Sequence, residues 1–167
     1  RVFGVLPYLK DLKMNSNKIQ RLLKPGEKPN TKNGIGALMG IELLELRENE
    51  VSDLSGVKFL KNLRSLDLFG NLINKVDSID NLVNLQYLDL SKNKLRVLDK
   101  SNIGNLPFLK VLLIDNNYLK NISFIVKLPR LTYFSIQCNK IVEFQSVEKL
   151  ADTELEEVFF YGNQISK

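Results

Sequence analysis

The stretch Leu82-Val83-Asn84-Leu85-Gln86-Tyr87-Leu88-Asp89-Leu90-Ser91-Lys92-Asn93-Lys94-Leu95-Arg96-Val97-Leu98 carries its leucines at two different spacings. Leu82 and Leu85 stand three apart, whereas Leu88 and Leu90 alternate, and alternation sends both side chains to one face of a short strand. Asn93 follows where the chain must turn, and Leu95 and Leu98 resume the apolar pattern beyond it. One unit earlier the same pattern reads Leu60, Leu63, Leu66, Leu68, Asn71, Ile73, Val76 and Ile79. Working outward, the asparagine recurs as Asn17, Asn49, Asn71, Asn93, Asn117, Asn139 and Asn163, at separations of 32, 22, 22, 24, 22 and 24. A period near 22 over almost the whole chain implies stacked coils, since no single unit can bury its own leucines.

Each unit supplies one short strand, so the expected fold is an α/β solenoid. It is a right-handed superhelix of about seven repeats with a parallel concave sheet. At about 4.8 Å between strands, six steps span about 29 Å. A 22-residue coil leaves little length for a helix, so short turns, 3-10 turns or single helical turns are expected on the convex side. The asparagine amide is expected to bond the backbone of its own and the adjacent coil, a structural role. Pro7, Pro107 and Pro129 stand just after Leu6, Leu106 and Leu128, where the chain heads back to the strand. The excess length between Asn17 and Asn49 falls in Lys24-Pro25-Gly26-Glu27-Lys28-Pro29-Asn30-Thr31-Lys32-Asn33-Gly34, which reads as an exposed inserted loop at 24–34. Residues 1–167 thus form a single domain. A partial unit precedes Leu9 and no capping segment follows Ile165, so both ends are expected to continue into further protein.

Composition narrows the function. A hydrophobic content of 44% in 167 residues is enough for a continuous core. The chain has one cysteine, Cys138, and no histidine, which removes a disulfide framework together with the commonest metal ligand and general base. A reducing, cytoplasmic or nuclear location is expected. No run of about 18 apolar residues could span a membrane, and the apolar Val2 to Leu9 stretch runs into Lys10 and Asp11 rather than a cleavage site. Gly34-Ile35-Gly36-Ala37-Leu38-Met39-Gly40 lacks the spacing of a phosphate-binding turn, and the Asn121-Ile122-Ser123 sequon is read as a chance match. No acid cluster, nucleophile–base pair or metal-ligand set gathers in the pattern. No catalysis, metal, cofactor or small-molecule substrate is therefore expected.

The register nominates a working surface. The outward residues of the seven strands are Asp11, Lys13, Asn15; Leu43, Glu45, Arg47; Ser65, Asp67, Phe69; Tyr87, Asp89, Ser91; Val111, Leu113, Asp115; Tyr133, Ser135, Gln137; and Glu157, Phe159, Tyr161. The chain carries a net charge of +5 with no obvious basic cluster, whereas this face is mainly acidic. A partner with a basic or mixed surface is expected, and nucleic acid is disfavoured. Aromatics on a sheet with no second layer suit interface anchors. The candidate contact residues are Glu45, Asp67, Phe69, Tyr87, Asp89, Asp115, Tyr133, Glu157, Phe159 and Tyr161.

The motif resembles the short, 22-residue class of leucine-rich repeats, in Leu82 to Leu98 and again in Leu155-Glu156-Glu157-Val158-Phe159-Phe160-Tyr161-Gly162-Asn163. That class includes the leucine-rich regulatory subunit of type-one protein phosphatase, whose acidic and aromatic concave face holds the catalytic subunit. Glu157 and Phe159 resemble its acid-then-aromatic pairing, with Asp67, Phe69 and Asp89 earlier on the same surface. The resemblance implies a regulatory or targeting subunit for a protein phosphatase catalytic subunit. Similar repeats occur in an axonemal dynein light chain, tubulin-folding cofactors and a spliceosomal protein. They imply an alternative, a structural adaptor in a cytoskeletal, dynein or ciliary assembly.

Overall fold

The computed structural model describes residues 6, 8–23, 35, 38–77, 79–98, 100–103, 106–125, 128–143, 150 and 153–165. Among them, β1 (Asp11–Lys13), β2 (Leu43–Glu45), β3 (Ser65–Asp67), β4 (Tyr87–Asp89), β5 (Val111–Leu113), β6 (Tyr133–Ser135) and β7 (Glu157–Phe159) form one parallel sheet in chain order. The central residues Leu12, Leu44, Leu66, Leu88, Leu112, Phe134 and Val158 stand in register from strand to strand. They point inward, and those of β2 to β6 are fully buried. The repeat therefore builds the expected leucine-rich-repeat solenoid. Phe134 takes the leucine position in β6. Its ring meets Phe124 and Phe160 edge-on, each at 6.3 Å and 88°, so the aliphatic spine becomes aromatic at that end.

Behind the sheet, the turn asparagines from Asn49 to Asn163 each fasten their coil to the one before. Asn93 Nδ2 donates to Leu90 O at 3.0 Å and Ser91 O at 3.1 Å in its own turn, and to Leu68 O of the previous coil at 3.0 Å. Its Oδ1 accepts the Ile73 N–H at 2.9 Å. Asn49, Asn71, Asn117 and Asn139 repeat this four-way arrangement. All five are buried and satisfied, as buried polar groups must be. Among the described residues Asn17 bonds only within its own turn, to Met14 O and Asn15 O.

A second regularity is not visible in residue type. The residue before each asparagine lies at positive φ: Ser16 (55°), Glu48 (51°), Gly70 (69°), Lys92 (51°), Asn116 (54°), Cys138 (52°) and Gly162 (73°). This left-handed residue reverses the chain out of the strand, and Gly70 and Gly162 meet the requirement without a Cβ penalty. The hydrogen bonds formed on either side hold the other five in place. Glu48 N–H, for example, donates to Phe69 O and Lys92 N–H to Asp115 O, both at 2.8 Å.

The convex side is built of turns, with a 3-10 turn at Val57–Phe59 and a single helical turn, α1 (Lys100–Ile103), among the described residues. Pro107 and Pro129 occupy the second position of turns closed by Leu109 N–H to Leu106 O (3.1 Å) and Leu131 N–H to Leu128 O (3.2 Å), where their fixed φ is suitable. Pro7 and the inserted loop at 24–34 lie outside the described residues. Leu23 and Ile35 on either side of that loop are buried in the core.

Candidate protein-binding face

The outward rows of the sheet divide into two halves. Over β1 to β3 the face is charged, and most of its charges are already matched. Glu45 accepts Lys13 Nζ at 2.7 Å and Asn15 Nδ2 at 2.9 Å, and these two bonds hold its carboxyl below the ordinary range. Asp67 accepts Arg47 Nη1 at 2.8 Å. The Phe69 ring lies 4.6 Å from the Arg47 guanidinium and 4.8 Å from Lys92 Nζ. At the rim, Lys10 and Arg64 both reach Glu42, at 2.8 and 3.2 Å.

The expectation of exposed acids along the middle of this face is corrected here. Asp67 and Asp89 are on the concave side but are only 6% and 3% exposed. Their neighbours on adjacent strands are about 4.8 Å away, close enough for same-face side chains to cover one another. Among the described residues Asp89 has no direct cationic partner; its Oδ1 accepts the Ser91 N–H at 2.8 Å. Burial pushes its carboxyl up, the Ser91 bonds pull it back in part, and nearby Asp67 pushes it up again. Burial first, then Asp89 and Asp67, raises the adjoining Tyr87 phenol to about 12. Asp115 is likewise engaged, accepting Ser135 Oγ and Gln137 N–H, both at 2.6 Å. Glu45 and Asp67 are thus matched by Lys13 and Arg47, and Asp67, Asp89 and Asp115 also brace the sheet through the bonds they accept.

Asp89 and Asp67 consequently respond in opposite ways to substitution. A carboxyl raised in the folded state binds its proton more tightly there than when unfolded, so its ionisation destabilises the fold as pH rises through its range. Asp89→Asn keeps an oxygen for the Ser91 N–H and removes the buried charge. It should raise the urea midpoint at neutral pH, and the gain should shrink on acidification as the wild-type carboxyl takes up its proton. Asp67→Asn strips Arg47 of its partner and should cost about 1–2 kcal/mol at neutral pH.

Over β5 to β7 aromatic and aliphatic side chains dominate the face, with Asp115, Ser135, Gln137 and Glu157 among them. Tyr133 and Phe159 stack at 5.3 Å with their planes tilted by 37°. Phe159 is 37% and Tyr161 81% exposed, and half-buried Val111 and Leu113 form the adjoining floor. The structure therefore brings Tyr133, Phe159 and Tyr161 together, with Glu157 exposed beside them, and separates them from Glu45, Asp67, Phe69, Tyr87 and Asp89. Val111 and Leu113, outward by the same register but outside the candidate contact residues because they are neither charged nor aromatic, belong to this patch.

Beside the sheet, past the turns, Lys92, Lys94, Arg96, Lys120 and Lys140 are exposed on one flank of the middle coils. They form the basic cluster that the linear sequence did not reveal. Continuing the register beyond the fifth strand position would have found them. Cys138 is exposed on a turn of the same edge. Among the described residues no group of His, Cys, Asp and Glu is placed to hold a metal, and no helix is long and apolar enough to cross a membrane.

Comparison with known proteins agrees with this geometry. The leucine rich repeat family model matches residues 83–141. No curated protein matches the chain significantly. Among solved structures, an internalin (inlF) from Listeria monocytogenes superposes with a TM-score of 0.82 at 23% identity, over 98% of this chain and 45% of that one. The functional domain of InlJ from the same organism gives 0.73 at 23% identity, over 95% and 31%. Internalin C2, also from Listeria monocytogenes, gives 0.68 at 26% identity, over 95% and 74%. The chain spans less than half the length of the first two. At these identities the likeness is one of fold, and that fold is the leucine-rich-repeat solenoid.

Proposed function

We propose that the chain is a protein-binding scaffold that seats its partner on the concave sheet, with the apolar half over β5 to β7 as the centre of contact. The observation that carries this is the stacked Tyr133–Phe159 pair, with Phe159 and Tyr161 open to solvent on an uncovered sheet. Rigid aromatic rings on an apolar floor supply large contact area at little entropic cost, as interface anchors do. The first partner to test is the catalytic subunit of type-one protein phosphatase, because Glu157 and Phe159 stand beside each other on this face as in the regulatory subunit they resemble. A reducing cytoplasmic or nuclear setting belongs to the same reading and rests on the single cysteine.

Purified phosphatase catalytic subunit should be retained by the immobilised chain. Phe159→Ala combined with Tyr161→Ala should weaken retention at least about tenfold, two anchors at roughly 1–2 kcal/mol each, with an unchanged circular-dichroism spectrum. If the catalytic subunit is not retained by the wild-type chain, the phosphatase assignment is wrong. A partner that binds both proteins equally would place the contact elsewhere than this face.

A further inference from the structure

The positive charge missing from the concave face lies on the flank next to it. Past each turn asparagine, the first and third residues point outward along the coil edge, giving Lys94 and Arg96, then Tyr118 and Lys120, then Lys140 and Val142. The backbone N–H groups of Lys94, Tyr118 and Lys140 donate to Ile73 O, Leu95 O and Leu119 O of the preceding coil at 2.8, 2.8 and 2.9 Å, so the three residues form one column. At about 4.8 Å per coil, the Lys94 and Lys140 backbones stand about 10 Å apart, with Tyr118 between them. Lys140 Nζ lies 5.2 Å from the Tyr118 ring. Carboxylates near this stretch of flank are Glu143 at one end and Asp77 and Asp80, which line a cavity with Arg96, at the other, whereas Lys94, Lys120 and Lys140 stand along the column between them.

We propose that this flank is the charged rim of the binding face, and that it recognises an acidic protein segment. A carboxylate-bearing stretch of the partner would run along the coil edge over Lys92, Lys94, Arg96, Lys120 and Lys140. The inference rests on the concave-face reading and specifies the partner's chemistry. Lys92 sits in the turn that joins sheet to flank, with its ammonium over Phe69 of the concave face, so the two surfaces are continuous. An apolar centre with a charged rim is the usual anatomy of a protein interface, and rim charge governs encounter rate and partner choice. The charge expected of the partner is therefore acidic, the reverse of what the strand residues alone suggest. A single-stranded nucleic acid would look for free rings to stack on, and the Tyr118 ring on this flank already carries Lys140.

The test titrates fluorescein-labelled polyglutamate, polylysine and oligothymidine of matched charge with the whole chain, followed by fluorescence anisotropy. Polyglutamate should bind the wild type, and salt should weaken the binding. Lys94→Glu with Lys120→Glu and Lys140→Glu should reduce the affinity at least about tenfold. The neutral Lys→Gln version at the same three positions should give a smaller loss, and far-ultraviolet circular dichroism should be unaltered in both, since all three side chains are exposed. Lys58→Glu with Lys61→Glu and Lys110→Glu reverses the same charge elsewhere on the surface and should bind like the wild type. Phe159→Ala with Tyr161→Ala should leave polyglutamate binding intact, which separates failure of the rim from failure of the concave face. Three results would overturn the proposal: no binding of polyglutamate, equal losses in the rim and control variants, or tighter binding of oligothymidine or polylysine than of polyglutamate.

Discussion

Phe134→Ala should destabilise the chain by about 4–6 kcal/mol, the largest effect of any single substitution considered. The side chain is fully buried at the centre of β6, and truncating a buried phenylalanine costs about 3–5 kcal/mol through lost transfer energy and the cavity left behind. Two edge-to-face contacts, with Phe124 and Phe160, go with it, each worth about 0.5–1.5 kcal/mol beyond burial. The surroundings cannot collapse easily, because β6 is pinned on both sides by β5 and β7. Phe134→Leu is the informative control. It installs the residue that Leu66, Leu88 and Leu112 supply at the same register position, and should cost about 1–2 kcal/mol. Chemical denaturation monitored by circular dichroism reads both. Equal losses for the two variants would mean that the aromatic contacts, which both remove, carry the whole effect and that the volume leucine restores counts for little.

Asn93→Ala should cost at least about 3 kcal/mol, although it removes only a small polar group. The amide serves three carbonyls and one N–H, and leaving buried backbone groups unsatisfied costs about 1–3 kcal/mol each before relaxation. Asn93→Asp separates the two ends of the amide. Aspartate can still accept the Ile73 N–H but brings a carboxylate against Leu68 O, Leu90 O and Ser91 O, so it should be no more stable than alanine at neutral pH. Protonation restores a donor, and because the buried carboxyl would titrate above its unfolded value, Asn93→Asp should recover relative to Asn93→Ala as pH falls towards about 4, with the recovery complete below it. Asn17→Ala should cost less than about 1 kcal/mol, since that amide is exposed and bonds only its own turn. Comparable losses at Asn17 and Asn93 would show that the bond to the preceding coil carries no special weight.

Much of this architecture was legible because it depends on spacing. Alternation around Leu66, Leu88 and Leu112 fixed which residues face the core, and each strand begins and ends on the residues nominated as outward. The asparagine role followed from the need to satisfy buried backbone. The candidate site was read less completely. Whether Asp67 and Asp89 face solvent depends on what the neighbouring strands place beside them, and a list of outward positions does not contain that information. The left-handed turn residue was hidden because five of its seven occupants are not glycine. The basic flank was missed for another reason: Lys94, Lys120 and Lys140 lie far apart in the chain and meet only through the stacking of coils.

The turns that make up the convex side also set how far the solenoid bends. Packed helices keep about 8–10 Å between axes, whereas neighbouring strands stand about 4.8 Å apart, so a coil with a helix behind and a strand in front must fan open. Here α1 and the 3-10 turn at Val57–Phe59, two convex helical segments that lie wholly within the described residues, are each less than two turns long. Coils backed by segments this short have little reason to splay, and stacking them would keep the shared sheet only gently arched.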